Sequence, residues 1–166
     1  MSEIPRYAPA RAFPPYAFLP GVNPHPRQNP EGHSYGLTEE LAAEAPDPAL
    51  WQECEAYLFG IDLYNHGYLW EAHEAWEGIW HPAKQSDPEL AAFLQGLILC
   101  TASSLKQRMG DPRGRGRLAE NGTGKLMTVG NAHGGTYMGL DAETFATDFR
   151  AFTAGETDDR PLMLVS

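Results

Sequence analysis

Trp70-Glu71-Ala72-His73-Glu74-Ala75-Trp76-Glu77-Gly78-Ile79-Trp80-His81 is the stretch that decides how this chain folds. Its aromatic and small residues recur every three or four positions, the period of an amphipathic α-helix. Place Leu69 at zero and advance about 100° per residue. Trp76, Trp80 and Ala72 then fall within roughly 60° of Leu69, and His73, at about 40°, sits inside that apolar stripe. Glu77, at about 80°, lies one turn after His73 and beside it. Glu74 falls on a flank at about 140°, and Glu71 at about 200° reads as the solvent side.

Helix signals continue on either side. Thr38 to Ala45 reads as a short amphipathic helix stopped by Pro46. Asp47-Pro48 is an N-cap followed by proline at the first helical position, and it predicts a helix to about His66 with Gly67 as its stop. The quoted helix runs from about Tyr68 to His81 and ends at Pro82. Ser86-Asp87-Pro88-Glu89 opens another, to about Met109, with Gly110 as its stop. Its centre, Leu90 to Leu105, is apolar on nearly every side and predicts burial all round. Asp111-Pro112 repeats the start signal, but Gly114, Gly116, Gly122 and Gly124 weaken the helix it opens by about 1 kcal/mol each against Ala. Gly130 to Gly139 reads as a glycine-rich loop. Asp141 caps a last helix with Phe145, Phe149 and Phe152 on one face. From Gly155 the tail reads as mobile, with Leu162 to Val165 apolar enough to dock.

The first 35 residues differ in kind. Eight of the 14 prolines fall between Pro5 and Pro30, and no 3.6 or 2.0 periodicity survives so many fixed φ angles. This is an extended, partly polyproline arm. Tyr7, Phe13, Tyr16, Phe18 and Leu19 would be costly to leave in water, so the arm is expected to wrap the body or a partner. The fold class is therefore all-α: a compact multihelical bundle with an extended proline-rich N-terminal arm. The expected organisation is an arm over 1–36 packing on the body, one helical domain over 37–155 and a C-terminal tail over 156–166.

Composition narrows the function classes. The chain has 166 residues, 42% of them hydrophobic, with a net charge of -10. That length buries a core without disulfide staples. It excludes collagen-like, fibrous and wholly disordered classes. No window reads as the roughly 18 uninterrupted apolar residues of a membrane span, and no secretory signal is visible, so no membrane partner is expected. The acidic balance argues against nucleic acid. Cys54 and Cys100 lack zinc-finger spacing and read as buried, reduced thiols, which fits the cytoplasm. Lys106, Arg108, Arg113, Arg115, Arg117 and Lys125 are half of the 12 cations. They read as a solvated face, or as an anion site at the Asp111-Pro112 helix start.

The chemistry centres on His73. Burial disfavours both charges of an imidazole–carboxylate pair, while proximity favours the ion pair, and such groups serve acid–base catalysis. Three readings are open: a satisfied core network of His73, Glu77 and Gln95; a ligand or catalytic pocket; or a bound metal. Against H-E-x-x-H, Glu77 stands at the second ligand position. The carboxylate-bridged bundles need a second E-x-x-H that this chain lacks, Asp62 and His66 being the nearest substitute. Gln95 is expected to be buried, hence partnered, and Gly96 lets a helix or ligand approach. Trp70, Trp76 and Trp80 read as core or as pocket wall.

Tyr57-Leu58-Phe59-Gly60-Ile61-Asp62-Leu63-Tyr64-Asn65-His66-Gly67-Tyr68, followed by the Trp70–Glu77 stretch and Trp80, resembles the signature of a small all-α domain-of-unknown-function family, number 309. The family pattern is a helix ending in Asn-x-Gly, then E-A-H-E-x-x-E and a Trp. Its L-Q-G-L-I helix is matched by Leu94-Gln95-Gly96-Leu97-Ile98, and Gly139-Leu140-Asp141 is similar to its end. The resemblance covers about Tyr57 to Phe152. It implies a compact bundle with the His73 helix central, and it supplies no activity. His73, Glu74, Glu77 and Gln95 fall on motif positions, and Asn65 and Gly67 match its turn. The arm resembles an extension of some members, while Asn121 to Gly135 departs from the helical pattern.

The leading expectation is a small-molecule-binding or acid–base pocket. His73, Glu77 and Glu74 are its catalytic candidates. Gln95, Trp70, Trp76, Trp80, Asn65 and His33 are its ligand-binding candidates, with His25 and His33 closing it from the arm. A non-enzymatic protein-interaction module, with the arm docking on another protein or building a homo-oligomer, is the alternative. A metal-dependent hydrolase is third. No metal ligand set and no cofactor is assigned.

Overall fold

The structure, a computed structural model, describes residues 2–166. Asp47 caps as the sequence predicts, accepting from the Ala49 N–H at 2.9 Å, but the element it opens is a short 3₁₀ helix, Pro48–Glu53. The chain then kinks at Cys54 (φ -88°, ψ 92°), and α1 covers Glu55–Asn65. The single helix expected over 48–66 is thus split. The break sets Trp51 edge-on to Tyr57 and flat against Gly139, where a Cβ would collide with the indole. Gly67, at φ +87°, closes α1, with Tyr68 N–H donating to Leu63 O at 2.8 Å and Gly67 N–H to Tyr64 O at 3.1 Å. This is the paired bonding of a Schellman stop.

Helix α2 spans Leu69–Ser86 and runs straight through Pro82. A proline inside a helix leaves the carbonyl four residues back without its usual donor. Here that carbonyl belongs to Gly78, and it accepts from the Ala42 N–H at 2.9 Å. Residues 38–45 are consequently not a helix; they cross α2 in irregular, extended form. Gly78 permits the crossing, since a Cβ there would collide with Glu40 O.

Helix α3, Pro88–Arg108, is capped by Asp87 and stopped by Gly110 at φ +76°. By length and composition it could cross a membrane. In this fold it is the central helix, packed between α2 and α4. Helix α4, Pro112–Ala132, is continuous, which corrects the expectation of a weak helix through the glycines. Two of the chain's glycines form its contact with α3. A Cβ on Gly122 would stand 2.9 Å from Cys100 Sγ and from Gly96 O, and one on Gly96 would stand 2.8 Å from Leu126 Cδ2. Close backbone approach offsets the poor helix propensity.

A two-residue turn, Met138 (φ 47°) and Gly139 (φ 76°), joins β1 (Thr136–Tyr137) to β2 (Leu140–Asp141). Both positive φ values are those of the tight turn that matches strand twist. Asp141 then caps α5, Ala142–Thr153, whose Phe145, Phe149 and Phe152 are buried. The fold is all-α apart from this hairpin. Its core is built on Trp76, Tyr57, Tyr64, Phe93 and Phe149.

The arm packs on α1 and α2, and the tail packs on α1 and the hairpin. In the arm, Arg6 Nε and the Tyr7 and Ala8 N–H groups converge on the fully buried Asp62 carboxylate at 2.7–2.9 Å. Phe13 stacks on Tyr68 with ring centroids 4.9 Å apart. The tail does not hang free: Met163 and Val165 are buried, and Val165 bridges to Leu140.

Candidate functional site

The buried stripe of α2 is Leu69, Ala72, Trp76, Ile79 and Ala83, which places its centre a little to one side of the angle expected. His73 therefore stands at the margin of the stripe rather than in its middle. Its side chain is 28% exposed, Glu77 24% and Glu74 19%. The dry interior seam expected for this pair is corrected to a half-buried edge.

The pair itself is formed. His73 Nε2 makes an ion-pair contact with Glu77 Oε1 at 3.0 Å, and Nδ1 lies 3.8 Å from Glu74 Oε1, beyond hydrogen-bond reach. On the other side, Glu74 Oε2 pairs with Arg27 Nη2 of the arm at 2.9 Å. Glu39, from the segment that crosses α2, adds a third carboxylate close enough to be felt by both His73 and Glu74. Arg27 Nε and Glu39 Oε1 are enclosed and have no hydrogen-bond partner among the described residues.

These neighbours set the charges. Burial pulls the His73 pKa down, but the Glu77 hydrogen bond and charge, then Glu74 and Glu39, outweigh it and leave it raised. The His73 hydrogen bond holds Glu77 below the usual carboxylate range against its own burial. Glu74 is raised: burial is the largest influence, and Glu77 and Glu39 add to it against Arg27 and His73. One ligand atom each from His73, Glu74 and Glu77 lie within 4.8 Å of one another, a set that could hold a metal ion.

The remaining candidates divide. Gln95 is half-buried and makes no side-chain hydrogen bond among the described residues, so the His73–Glu77–Gln95 network is not formed. Trp76 is fully buried and its Nε1 donates to Tyr57 O at 3.2 Å over Gly60; it is core, not wall. Trp80 is half-buried, with Lys84 Nζ 4.0 Å above its ring. Asn65 is buried and clamps the tail, donating to Met163 O and accepting from Met163 N–H, both at 2.8 Å, which leaves it no ligand to hold.

Trp70 meets the arm, with Phe18, His25 and His33 around its ring. His33 turns away from His73: its Nε2 donates to Glu71 Oε2 at 2.7 Å, with both side chains 5% exposed or less. Glu71, read from the helical wheel as solvent-facing, is thus buried under the arm, and it also accepts from the Phe18 N–H at 3.1 Å. Asp62 and His66 do not form a ligand pair, since His66 Nδ1 bonds Asp62 O and the carboxylate serves the arm. Arg27 and Glu39 were not legible as site residues. They approach from about 30 or more positions upstream of the His73 cluster, and a local pattern carries no trace of that.

Two surface clefts lie elsewhere. One of about 610 Å³ is lined by Trp51, Asp87, Glu89, His133 and Tyr137. Another of about 280 Å³ is lined by Tyr7, Ala8, Glu55 and Leu58. Neither is lined by His73.

The fold and this edge define a helical bundle that carries an imidazole–carboxylate cluster where its N-terminal arm crosses the second helix. Residues 57–118, from α1 into the first turns of α4, match the family described as Domain of unknown function (DUF309), and the resemblance read from the sequence holds over that stretch. No curated protein and no solved structure matches the chain.

Proposed function

We propose that the protein binds a small molecule at the arm–α2 edge and performs acid–base chemistry on it through His73. The observation that carries this reading is the unequal treatment of the two ring nitrogens. Nε2 is engaged by Glu77 at 3.0 Å, while Nδ1, at 3.8 Å from Glu74, has no hydrogen-bond partner among the described residues. An imidazole oriented at one nitrogen and open at the other is the arrangement of a general acid or base. Glu77 is the orienting group. The raised His73 pKa favours the protonated ring. Glu74 and Arg27 are polar walls, and the unpartnered Arg27 Nε and Glu39 Oε1 are a donor and an acceptor for a polar ligand.

Nitrogen NMR of the His73 ring tests this. The neutral ring should carry its proton on Nε2, its titration should lie above the ordinary value, and Glu77→Gln should lower it. A neutral ring protonated on Nδ1, or a titration indifferent to Glu77→Gln, overturns the reading.

A metal-dependent reading has one specific support, the convergence of His73, Glu74 and Glu77. Titration of the protein with zinc, followed through the His73 ring signals, should then broaden or shift them at stoichiometric metal, and loss of that response in Glu74→Gln would tie it to this site. The interaction-module reading rests on Tyr35 and Leu37, just before the crossing segment, and Leu41 on it, all of which stay exposed. The deeper aromatic residues of the arm, by contrast, lie against its own body.

A further inference from the structure

Two arginines flank the turn between α1 and α2, and neither has a carboxylate partner among the described residues. Arg108, at the end of α3, donates from Nη1 to Gly67 O at 3.0 Å. Its Nη2 would stand 3.3 Å from a Cβ on Gly67, so the bare glycine admits it. Arg160, from the tail, lies 4.1 Å over the Tyr64 ring and donates from Nη2 to Tyr64 O at 2.9 Å. Its Nη1 is enclosed and has no hydrogen-bond partner among the described residues. Both guanidinium groups thus hold the carbonyls of one turn, 64–67. They are close enough that the charge of Arg160 adds to burial in lowering the Arg108 pKa.

Arg108 is exposed and Arg160 half-buried, and like charges brought together without a carboxylate between them repel one another. Three arginines make direct ion pairs, Arg6 with Asp62, Arg11 with Glu55 and Arg27 with Glu74, and Arg108 and Arg160 are not among them. The turn is also where α2 begins, and its first turn has no side-chain cap.

We propose that this turn is an anion site of the phosphate class, with Arg108 and Arg160 as its two guanidinium ligands. A single carboxylate is planar and is satisfied by one guanidinium fork. Two forks on separate elements suit a tetrahedral oxyanion, which accepts from several directions at once. The site does not depend on the acid–base reading of His73.

Titration of the full chain with inorganic phosphate at fixed ionic strength, read by amide NMR, tests the proposal. The Gly67 and Tyr68 amides and the Arg108 and Arg160 side-chain signals should move together and saturate. Arg108→Gln and Arg160→Gln should each weaken the response about tenfold, the scale of losing a charge-assisted bidentate contact. Arg113→Gln, which removes one exposed cation from the start of α4, should leave it unchanged. Because Arg160 packs on Tyr64, the exposed Arg108 variant keeps the test valid should Arg160→Gln unfold the tail. The proposal is overturned by a non-saturating response, by an Arg108→Gln effect no larger than that of Arg113→Gln, or by succinate matching phosphate at equal charge.

Discussion

The N-terminal arm and the C-terminal tail both dock on α1, by different chemistry, and the arm reaches on to α2. The arm is held by carboxylates: Asp62 gathers a guanidinium and two N–H groups, and Glu71 takes an imidazole and a third N–H. The tail is held by a neutral amide, Asn65, whose two bonds to Met163 copy a strand pairing, and by the apolar Met163 and Val165. Charge-assisted bonds to a buried carboxylate are strong, but the bare carboxylate is costly once they are gone. A neutral amide clamp stabilises less, and its loss leaves less behind. The two segments touch where Val165 N–H donates to the Tyr7 hydroxyl at 3.2 Å.

The contrast can be broken first at Asp62. Asp62→Asn replaces an acceptor of three donors with a group that is itself half donor, and about 3 kcal/mol of unfolding free energy should be lost. Limited proteolysis should then cut within residues 3–13 while the tail stays protected. Cleavage confined to the tail would show that Asp62 is not the anchor of the arm. Asn65→Ala should cost about 2 kcal/mol, two buried hydrogen bonds, by urea denaturation. Hydrogen exchange should rise at Met163 and Val165 and not in the arm.

Gly78→Ala addresses the crossing segment alone. The new methyl collides with Glu40 O and should lower stability by about 1 kcal/mol, with exchange rising at Ala42. An unchanged Ala42 amide would contradict the crossing. The smallest effect belongs to the half-buried edge: Glu77→Gln should cost about 0.5 kcal/mol, as exposed helical ion pairs do. Its pH dependence has a definite sign. The raised His73 contributes stability in full below its ordinary value of 6.5 and loses it as pH rises through the higher folded value. The lowered Glu77 contributes above its ordinary value of 4.5 and loses it as pH falls through the lower folded value. The variant should therefore lose most between about pH 4.5 and 6.5 and little at about pH 9. Glu74, raised mainly by burial, works in the opposite sense: its contribution falls as pH rises through its folded value.

Local signals were legible where local physics decides. The caps Asp87, Asp111 and Asp141 and the stops Gly67 and Gly110 act as the sequence predicts, because each satisfies donors or carbonyls within a few residues. The readings that failed are those decided from afar. Pro82 does not end α2, since Ala42 supplies the donor that the Gly78 carbonyl lacks. Gly122 strengthens a helix contact instead of weakening a helix, while Gly96 admits the neighbouring helix as read. Glu71 goes inside because the arm brings His33 to it. The His73–Glu77 contact came from an i,i+4 spacing and was readable. Its half-open setting, and the arrival of Arg27 and Glu39, depended on an arm with no periodicity to read.

The gap in the α2 ladder couples two elements. Pro82→Ala would restore an internal donor to the Gly78 carbonyl, so the repaired helix and the crossing segment at Ala42 would compete for one oxygen. A substitution that perfects the helix would thereby loosen the hold on the segment that brings Glu39 to His73. Imperfection in one element is, in this protein, the keyhole for another.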